Sequence, residues 1–330
     1  MHIDILSERK HNQWASQQVI YEWEDDISRE LNWPIRSMWR FGNVSKYCRK
    51  INCKFISKNS KKRQFEYSPQ NSTYHLYFVM NASRYEEFVF ENAIPIFMDF
   101  SEDMLQQIRY ATEKCPVFWV TCKHIYDGLK AIGASNVRYM PFSISTSLQH
   151  IQQRPKTIDV IQIGRKNEYL HKWMLDYCEQ NPSVEYVYHN IGKNSLGYIS
   201  TTRGNIGEIV SRESYIELLS QSKVSIVSSP GADGSSRFGN IDFITPRFYE
   251  SAALKFHLIG RYSDMEEVKI TGLDRICPNI RSQDEFNQTI ARYLMEYDVD
   301  MVWRKSKEFI SNNLILNRIN EIKESITDIL

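Results

Sequence analysis

The sequence predicts an α/β protein of two domains. Three observations lead there: short apolar runs alternate with longer amphipathic segments, a polar proline-bearing break falls near the middle, and a second strand-and-helix series follows it. At 330 residues the chain has room for two domains of ordinary size. A hydrophobic fraction of 42% and a charged fraction of 25%, with 13 Gly and 10 Pro, belong to a packed globular chain rather than a low-complexity one.

In chain order, residues 14–31 read as a helix and residues 48–68 as an exposed, polar and basic excursion. Residues 74–80 (YHLYFVM), 93–98 (AIPIFM) and 116–121 (PVFWVT) are short apolar or aromatic runs and read as buried strands, and 102–112 (EDMLQQIRYAT) has helical spacing. A helix ending at Gly133 and a strand over 137–140 close this half. QHIQQRPK, residues 149–156, is the linker, which divides the chain into an N-terminal domain 1–148, a C-terminal domain 157–300 and a helical tail 301–330. Residues 158–163 (IDVIQI) open the second domain as a strand that stops at Gly164, followed by Arg165, Lys166 and a helix from about 169 to 180. Residues 184–188 and 224–228 are its next strands, with a helix over 213–220 before the latter. A Gly/Ser-rich loop over 229–240 precedes a helix that starts at Pro246 and feeds a strand over 256–259.

Lys and Arg number 41 against 40 Asp and Glu, a net charge of +1, so no global field attracts nucleic acid or an acidic membrane surface. The six cysteines are spread along the chain without a CxxC pair; they read as reduced and mostly buried, with no zinc site. The first 14 residues lack an apolar leader core and no run approaches the roughly 18 apolar residues of a membrane span. The expected location is the cytoplasm, with peripheral contact at the inner membrane face as the alternative.

The segment DFITPRFYESAALKFHLIG, residues 242–260, carries the chemistry. Asp242 and Glu250 flank a proline turn, and a helix starting near Pro246 or Arg247 puts Glu250 in its first turn with Asp242 in the loop before it. Exposed N–H groups at that helix start, together with Arg247, attract phosphate, and carboxylates accept hydrogen bonds from sugar hydroxyls. The bland alternative is a helix-cap acid and a loop acid. Gly231, Gly234 and Gly239 just upstream favour a ligand, because glycine lets backbone approach it closely.

These residues resemble the second half of the donor site of GT-B-type glycosyltransferases, above all the retaining family four enzymes and the CgeB-like proteins. Those carry an acid, seven intervening residues and a second acid, then a small-residue helix and a strand. Here Asp242 and Glu250 take the two acidic positions and residues 251–254 (SAAL) the small run; Asp242 replaces the commoner Glu, and Lys255 stands where Gly is usual. IDVIQIGRKNE resembles the opening of that family's C-terminal domain, YIELLSQSKVSIVSSPG its helix and strand before the donor loop, and residues 117–145 its hinge, so the likeness runs from about 93 to 260.

The resemblance implies two Rossmann-like domains facing across a cleft, a C-terminal helix crossing back to the first domain, and a nucleotide-sugar donor held by the second domain. The acceptor, a glycan, a lipid-linked molecule or a protein, approaches from the first. It places Glu250 on the ribose and Asp242 near the donor sugar, with Arg165 and Arg247 neutralising the leaving diphosphate in place of a metal. Gly164, Arg237, Gly239, Tyr249 and Ser251 complete the expected donor contacts. No cofactor is expected, since the nucleotide sugar is a co-substrate. Hexosyl transfer with retention is the leading expectation; a nucleotide-sugar epimerase or hydrolase and a non-catalytic binding module are the alternatives.

Other residues take plainer readings. His75 fits a sheet interior, whereas His11, His124 and His189 serve as acid or base only if they face the cleft. Asp99 lies beyond a strand's carboxyl end but also marks a helix start, and Gly42 is a single candidate for a close-approach glycine. Lys58, Lys61, Lys62 and Arg63 read as a solvated loop, with contact to an anionic acceptor or membrane surface as the alternative; Lys166 reaches phosphate or stands on a surface; and Trp14, Trp23, Trp33 and Trp39 read as core or as faces that stack on sugars.

Overall fold

Two parallel-dominated sheets, each of six strands, carry the chain. The computed structural model describes residues 2–10, 15, 17–37, 73–79, 92–98, 100, 108, 111–151, 154–164, 166–191, 196–233 and 241–328. The first sheet comprises β1 (His2–Ser7), β2 (Ile35–Ser37), β3 (Thr73–Val79), β4 (Ala93–Phe97), β5 (Phe118–Val120) and β6 (Val137–Tyr139), in the order β2-β1-β3-β4-β5-β6, every pair parallel. The second comprises β7 (Ile158–Gln162), β8 (Tyr186–Ile191), β9 (Leu196–Ser200), β10 (Gly204–Glu208), β11 (Ser222–Ser228) and β12 (His257–Arg261), in the order β10-β9-β8-β7-β11-β12. Its β8, β7, β11 and β12 run parallel, while β9 and β10 add an antiparallel edge.

The central parallel strands β3, β4 and β5 carry the longest apolar runs, because helices cover both faces of such a sheet. β4 (AIPIF) is buried at every position. In both sheets the first strand lies inside the order and the chain winds outward from it in two directions. Each sheet therefore has a crevice at the carboxyl end of its first strand, where ligands bind in open α/β folds.

Helices α1 (Gln18–Leu31), α2 (Lys123–Ala131), α3 (Glu168–Gln180), α4 (Arg212–Ser220) and α5 (Pro246–Ala253) follow the amphipathic segments, and α6 (Glu266–Thr271), α7 (Gln283–Met295), α8 (Val299–Asn312) and α9 (Ile315–Thr327) complete the chain. The tail is two helices rather than one. α8 packs on α5, with Phe309 and Tyr249 rings 5.5 Å apart. α9 crosses back to α1, burying Ile315, Ile319, Ile322 and Ile326 at helical spacing, each worth roughly 1.5–3 kcal/mol of apolar burial.

The core of the first sheet continues into the second half of the chain through Val227, Ile244, Phe248 and Leu258, while two further apolar clusters pack the rest of the second sheet. Phe100 and Phe243 meet edge to face at 5.9 Å, the Tyr139 hydroxyl donates to Glu267 at 3.1 Å, and the Cys122 thiol lies 3.6 Å from the Asp242 carbonyl. Asp26 on α1 accepts from the Thr146 amide at 2.9 Å and from the Thr146 hydroxyl, which fixes α1 against the connection between the sheets.

The elements that escaped the sequence reading include β1, β2, β9, β10, α6 and α7. β1 carries Asp4, which is buried but paired with His75 and with Arg36 at 2.8 Å, so a charge interrupts its apolar pattern. β9 and β10 contain Gly197, Gly204 and Gly207, and β10 is mostly exposed, so neither shows an apolar run. The helix expected over 102–112 and the basic excursion over 48–68 lie largely or wholly outside the described residues; 111–114 are helical. Cys115, Cys122, Cys178 and Cys277 are free and buried, while Cys48 and Cys53 lie outside the described residues. Among the described residues no helix is long and apolar enough to cross a membrane.

Candidate functional site

The crevice of the second sheet lies between β7 and β11, its first strand and that strand's partner on the far side of the winding. β7 ends into Gly164, whose φ of +77° is the left-handed region that glycine enters without a Cβ penalty. α5 starts opposite, with Thr245 at the cap and Pro246 in the first turn, where its missing N–H costs nothing.

Arg247, in that first turn, lays its guanidinium over Gly164. A Cβ on residue 164 would come 2.6 Å from the Arg247 Cζ, so only glycine permits the arrangement. Arg247 Nη1 donates to the Ile163 carbonyl at 3.3 Å, which anchors the fork at the strand end. Lys166 stands 5.0 Å over the Tyr188 ring, and partial burial pushes its ammonium below the usual lysine value. His189 reaches the Gly164 carbonyl through Nδ1 at 3.3 Å. Burial, the nearby Arg247 and Lys166 lower its pKa against the opposing hydrogen bond to Gly164.

α3 begins just beyond. The Asn167 side chain accepts from the Leu170 amide at 3.1 Å and donates to the Ala232 carbonyl at 2.9 Å, which ties the helix start to the Gly/Ser loop. Two cations, a positive-φ glycine and a helix N-terminus thus converge at the strand end, an arrangement that suits an anion.

Asp242 is engaged by its own chain. Oδ2 accepts from Ser229 Oγ at 2.8 Å and from Ser263 Oγ at 2.5 Å and N at 3.2 Å. Oδ1 accepts from the amides of Gly231 at 2.8 Å and Phe243 at 3.0 Å. The carboxylate shapes the loop, and a Cβ on Gly231 would strike it at 2.7 Å.

Glu250, expected on a ribose, is buried and pairs with Arg212 at 2.5 Å, with the Tyr215 hydroxyl 3.5 Å away. Burial raises its pKa, opposed by Arg212. Tyr249 and Ser251 also face the interior: Tyr249 is fully buried against Phe309, and Ser251 meets Ser225 Oγ at 3.0 Å. In this structure Tyr249 packs α5 on α8, Ser251 packs it on β11 and Glu250 on α4. Arg165, Arg237 and Gly239 lie outside the described residues, as do Asp99, Gly42, Gly234, His11, Trp14, Trp39 and the 58–63 basic cluster.

Of the remaining candidates, His75 is a sheet residue paired with Asp4, His124 is exposed on α2, and Trp23 packs on Phe78 and Phe142 at 5.9 and 5.8 Å. Sequence reasoning left Lys166 and His189 as open candidates. The signal for His189 was its place at the end of the strand neighbouring β7, which requires the pairing order to be seen. Arg212 was missed: an arginine at a helix start carries no sequence mark of a partner 38 residues downstream. No group of three or more His, Cys, Asp or Glu that could hold a metal exists among the described residues.

No family model matches the chain, and no curated protein matches it in sequence. Solved structures do resemble it. A protein assigned as a UDP-N-acetylglucosamine 2-epimerase from Listeria monocytogenes superposes at a TM-score of 0.52 with 11% identity, over 98% of this chain and 95% of that one. The fold is GT-B. Sucrose-phosphate synthase from Thermosynechococcus elongatus is similar at a TM-score of 0.49 with 11% identity, over 92% and 76% of the two chains. The pneumococcal O-GlcNAc transferase GtfA, in complex with UDP and GlcNAc, gives 0.47 with 14% identity over 77% of this chain. This chain spans 57% of the length of GtfA. In the GT-B frame the β7–β11 crevice belongs to the second of two Rossmann-like sheets.

Proposed function

We propose that the protein is a glycosyltransferase that draws on a nucleotide-sugar donor. The observation that carries this is the Arg247 guanidinium laid over Gly164 at the end of β7. The donor's diphosphate sits at that end, against Arg247, Lys166 and the amides opening α3. The Listeria neighbour, named for a UDP-sugar reaction on the same fold, supports a nucleotide-sugar ligand.

In this reading the acceptor, a glycan, lipid-linked molecule or protein, approaches from the first sheet and transfer retains configuration. The acceptor oxygen bonds to the anomeric carbon as the bond to the diphosphate breaks, and the acceptor proton passes to the departing phosphate. Arg247 and Lys166 stabilise the charge that develops there, the role a metal otherwise fills, and no further cofactor takes part. Arg165 and Arg237 remain candidates for the same task. Asp242 acts by holding the loop rather than as the group nearest the sugar. The reaction takes place in the cytoplasm.

Calorimetry with a panel of nucleoside diphosphates tests the donor site, and NMR of the anomeric proton in product tests retention. Binding of none of the panel overturns the reading. A second reading, epimerisation of the nucleotide sugar, has the name of the Listeria neighbour in its favour. Incubation with nucleotide sugar and no acceptor separates the two, since rapid isomerisation replaces the transferase assignment.

A further inference from the structure

His189 lies on β8 one residue beyond the β7–β8 ladder, whose last pair is Gln162 with Tyr188, and beside Tyr198 on β9, the two rings 5.2 Å apart. Only 6% of the residue is exposed. Its Nδ1 is 3.3 Å from the Gly164 carbonyl, and its Nε2 is buried with no hydrogen-bond partner among the described residues. A buried polar atom left without a partner is rare in a folded protein and asks for a reason.

The chemistry of the two nitrogens is set by their surroundings. A carbonyl oxygen only accepts, so Nδ1 carries the hydrogen. Burial disfavours a second proton on the ring, and Arg247 and Lys166 act in the same direction against the hydrogen bond to Gly164. Nε2 is then a bare lone pair, an acceptor placed among cations. A phosphate oxygen would be drawn to Arg247 and Lys166 but repelled by that lone pair. The ligand atom that suits Nε2 is a donor, and the donors nearest a diphosphate in a nucleotide sugar are the hydroxyls of the ribose on one side and of the sugar on the other.

We propose that His189 is a specificity residue of the donor site: its Nε2 accepts a hydrogen bond from a ring hydroxyl adjoining the diphosphate, while Arg247 and Lys166 hold the phosphates. The inference rests on the nucleotide-sugar reading above. Through Nδ1 the same ring fixes the Gly164 carbonyl, so the groups that measure the hydroxyl and the phosphate share one backbone unit.

The test is calorimetry on the full chain with the common nucleoside diphosphates, their 2′-deoxy counterparts, the matching nucleotide sugars and inorganic pyrophosphate. His189→Asn keeps a donor for Gly164 but lacks an acceptor near Nε2, whereas His189→Gln keeps an acceptor near the Nε2 position. We expect His189→Asn to bind the preferred nucleotide about tenfold more weakly, about 1.4 kcal/mol, with pyrophosphate unchanged and with partial recovery in His189→Gln. If the hydroxyl is on the ribose, the variant also loses the wild-type preference for ribo over 2′-deoxy ligand. If it is on the sugar, the variant loses the preference for nucleotide sugar over free diphosphate. Equal weakening of pyrophosphate, or wild-type affinity for every ligand, overturns the inference while leaving the donor site intact. A wild-type protein that binds none of these ligands overturns the donor reading and this inference together. Should His189→Asn fail to fold, His189→Phe, which loses the donor to Gly164 as well as the acceptor, carries the same expectations for the nucleotide ligands relative to its own pyrophosphate affinity.

Discussion

Arg212 sits between two carboxylates from opposite halves of the molecule, 2.5 Å from Glu250 on α5 and 2.8 Å from Glu22 on α1. Arg212 and Glu250 are 10% and 3% exposed, so water screens this pair little. Burial alone would lower the arginine's pKa, but Glu250 and Glu22 more than reverse that, and the guanidinium stays charged.

Removing the cation strands a carboxylate in the interior. Arg212→Met is expected to destabilise the fold by about 3–5 kcal/mol in urea unfolding, because it leaves Glu250 charged and unpaired. Adding Glu250→Gln removes the stranded charge and should recover a clear part of the loss. A cost below about 1 kcal/mol for Arg212→Met would show that the pair is open to water in solution.

Arg247 is expected to behave in the opposite way. It is half-buried and makes one hydrogen bond to the strand end, so Arg247→Ala should change stability by no more than about 1 kcal/mol. Pyrophosphate and nucleoside diphosphate affinity should fall tenfold or more, with Arg247→Lys intermediate because a point charge replaces a planar fork. Gly164→Ala should mimic the binding loss, since its Cβ displaces the guanidinium, and should also cost about 1–2 kcal/mol from the left-handed backbone.

Glu267 predicts a pH dependence. Burial is the main cause that pushes its carboxyl up from 4.5 to about 8, with Asp242 adding to it and hydrogen bonds from Ile244 and Tyr139 opposing it. A carboxyl whose folded pKa is raised contributes stability in full below its unfolded value and loses it as pH climbs to the folded value. Stability from this group therefore falls between about pH 4.5 and about pH 8. Glu267→Gln should flatten that slope and stabilise the protein at pH 8 by on the order of 2 kcal/mol, read as the urea midpoint against pH. An unchanged slope would show that Glu267 ionises freely.

Lys255 adopts φ +61° just past α5, where the resembled family has glycine. A left-handed lysine costs about 1–2 kcal/mol, and its ammonium over Trp303 at 4.9 Å returns about 0.5–1. Lys255→Gly should therefore raise stability by about 0.5–1 kcal/mol in denaturant unfolding. Destabilisation would mean that the Trp303 contact outweighs the backbone term.

Much of the fold was legible because its signals are local. The run in β4 is apolar at every position and β7 buries four of its five, and Pro246 marks the start of α5 to the residue. The tail read as one helical stretch because both α8 and α9 are amphipathic, and the Leu314 break between them shows only as a bridge to Ile144. The edge hairpin of β9 and β10 was silent because an exposed, glycine-bearing strand has no apolar pattern to read.

The segment from Asp242 to Glu250 shows where local information stops. Its residues determine a loop, a proline-led helix and an arginine in the first turn, since each depends on backbone preferences within a few positions. Which side chains face a ligand depends on what surrounds the helix on every side. Glu250 meets Arg212 and, through it, Glu22 of α1; Asp242 meets Ser229, Gly231 and Ser263; Arg247 lies over the strand end with Gly164 and His189. A buried charge must find its partner wherever the fold puts one, and that partner is chosen by the packing of distant elements rather than by spacing along the chain.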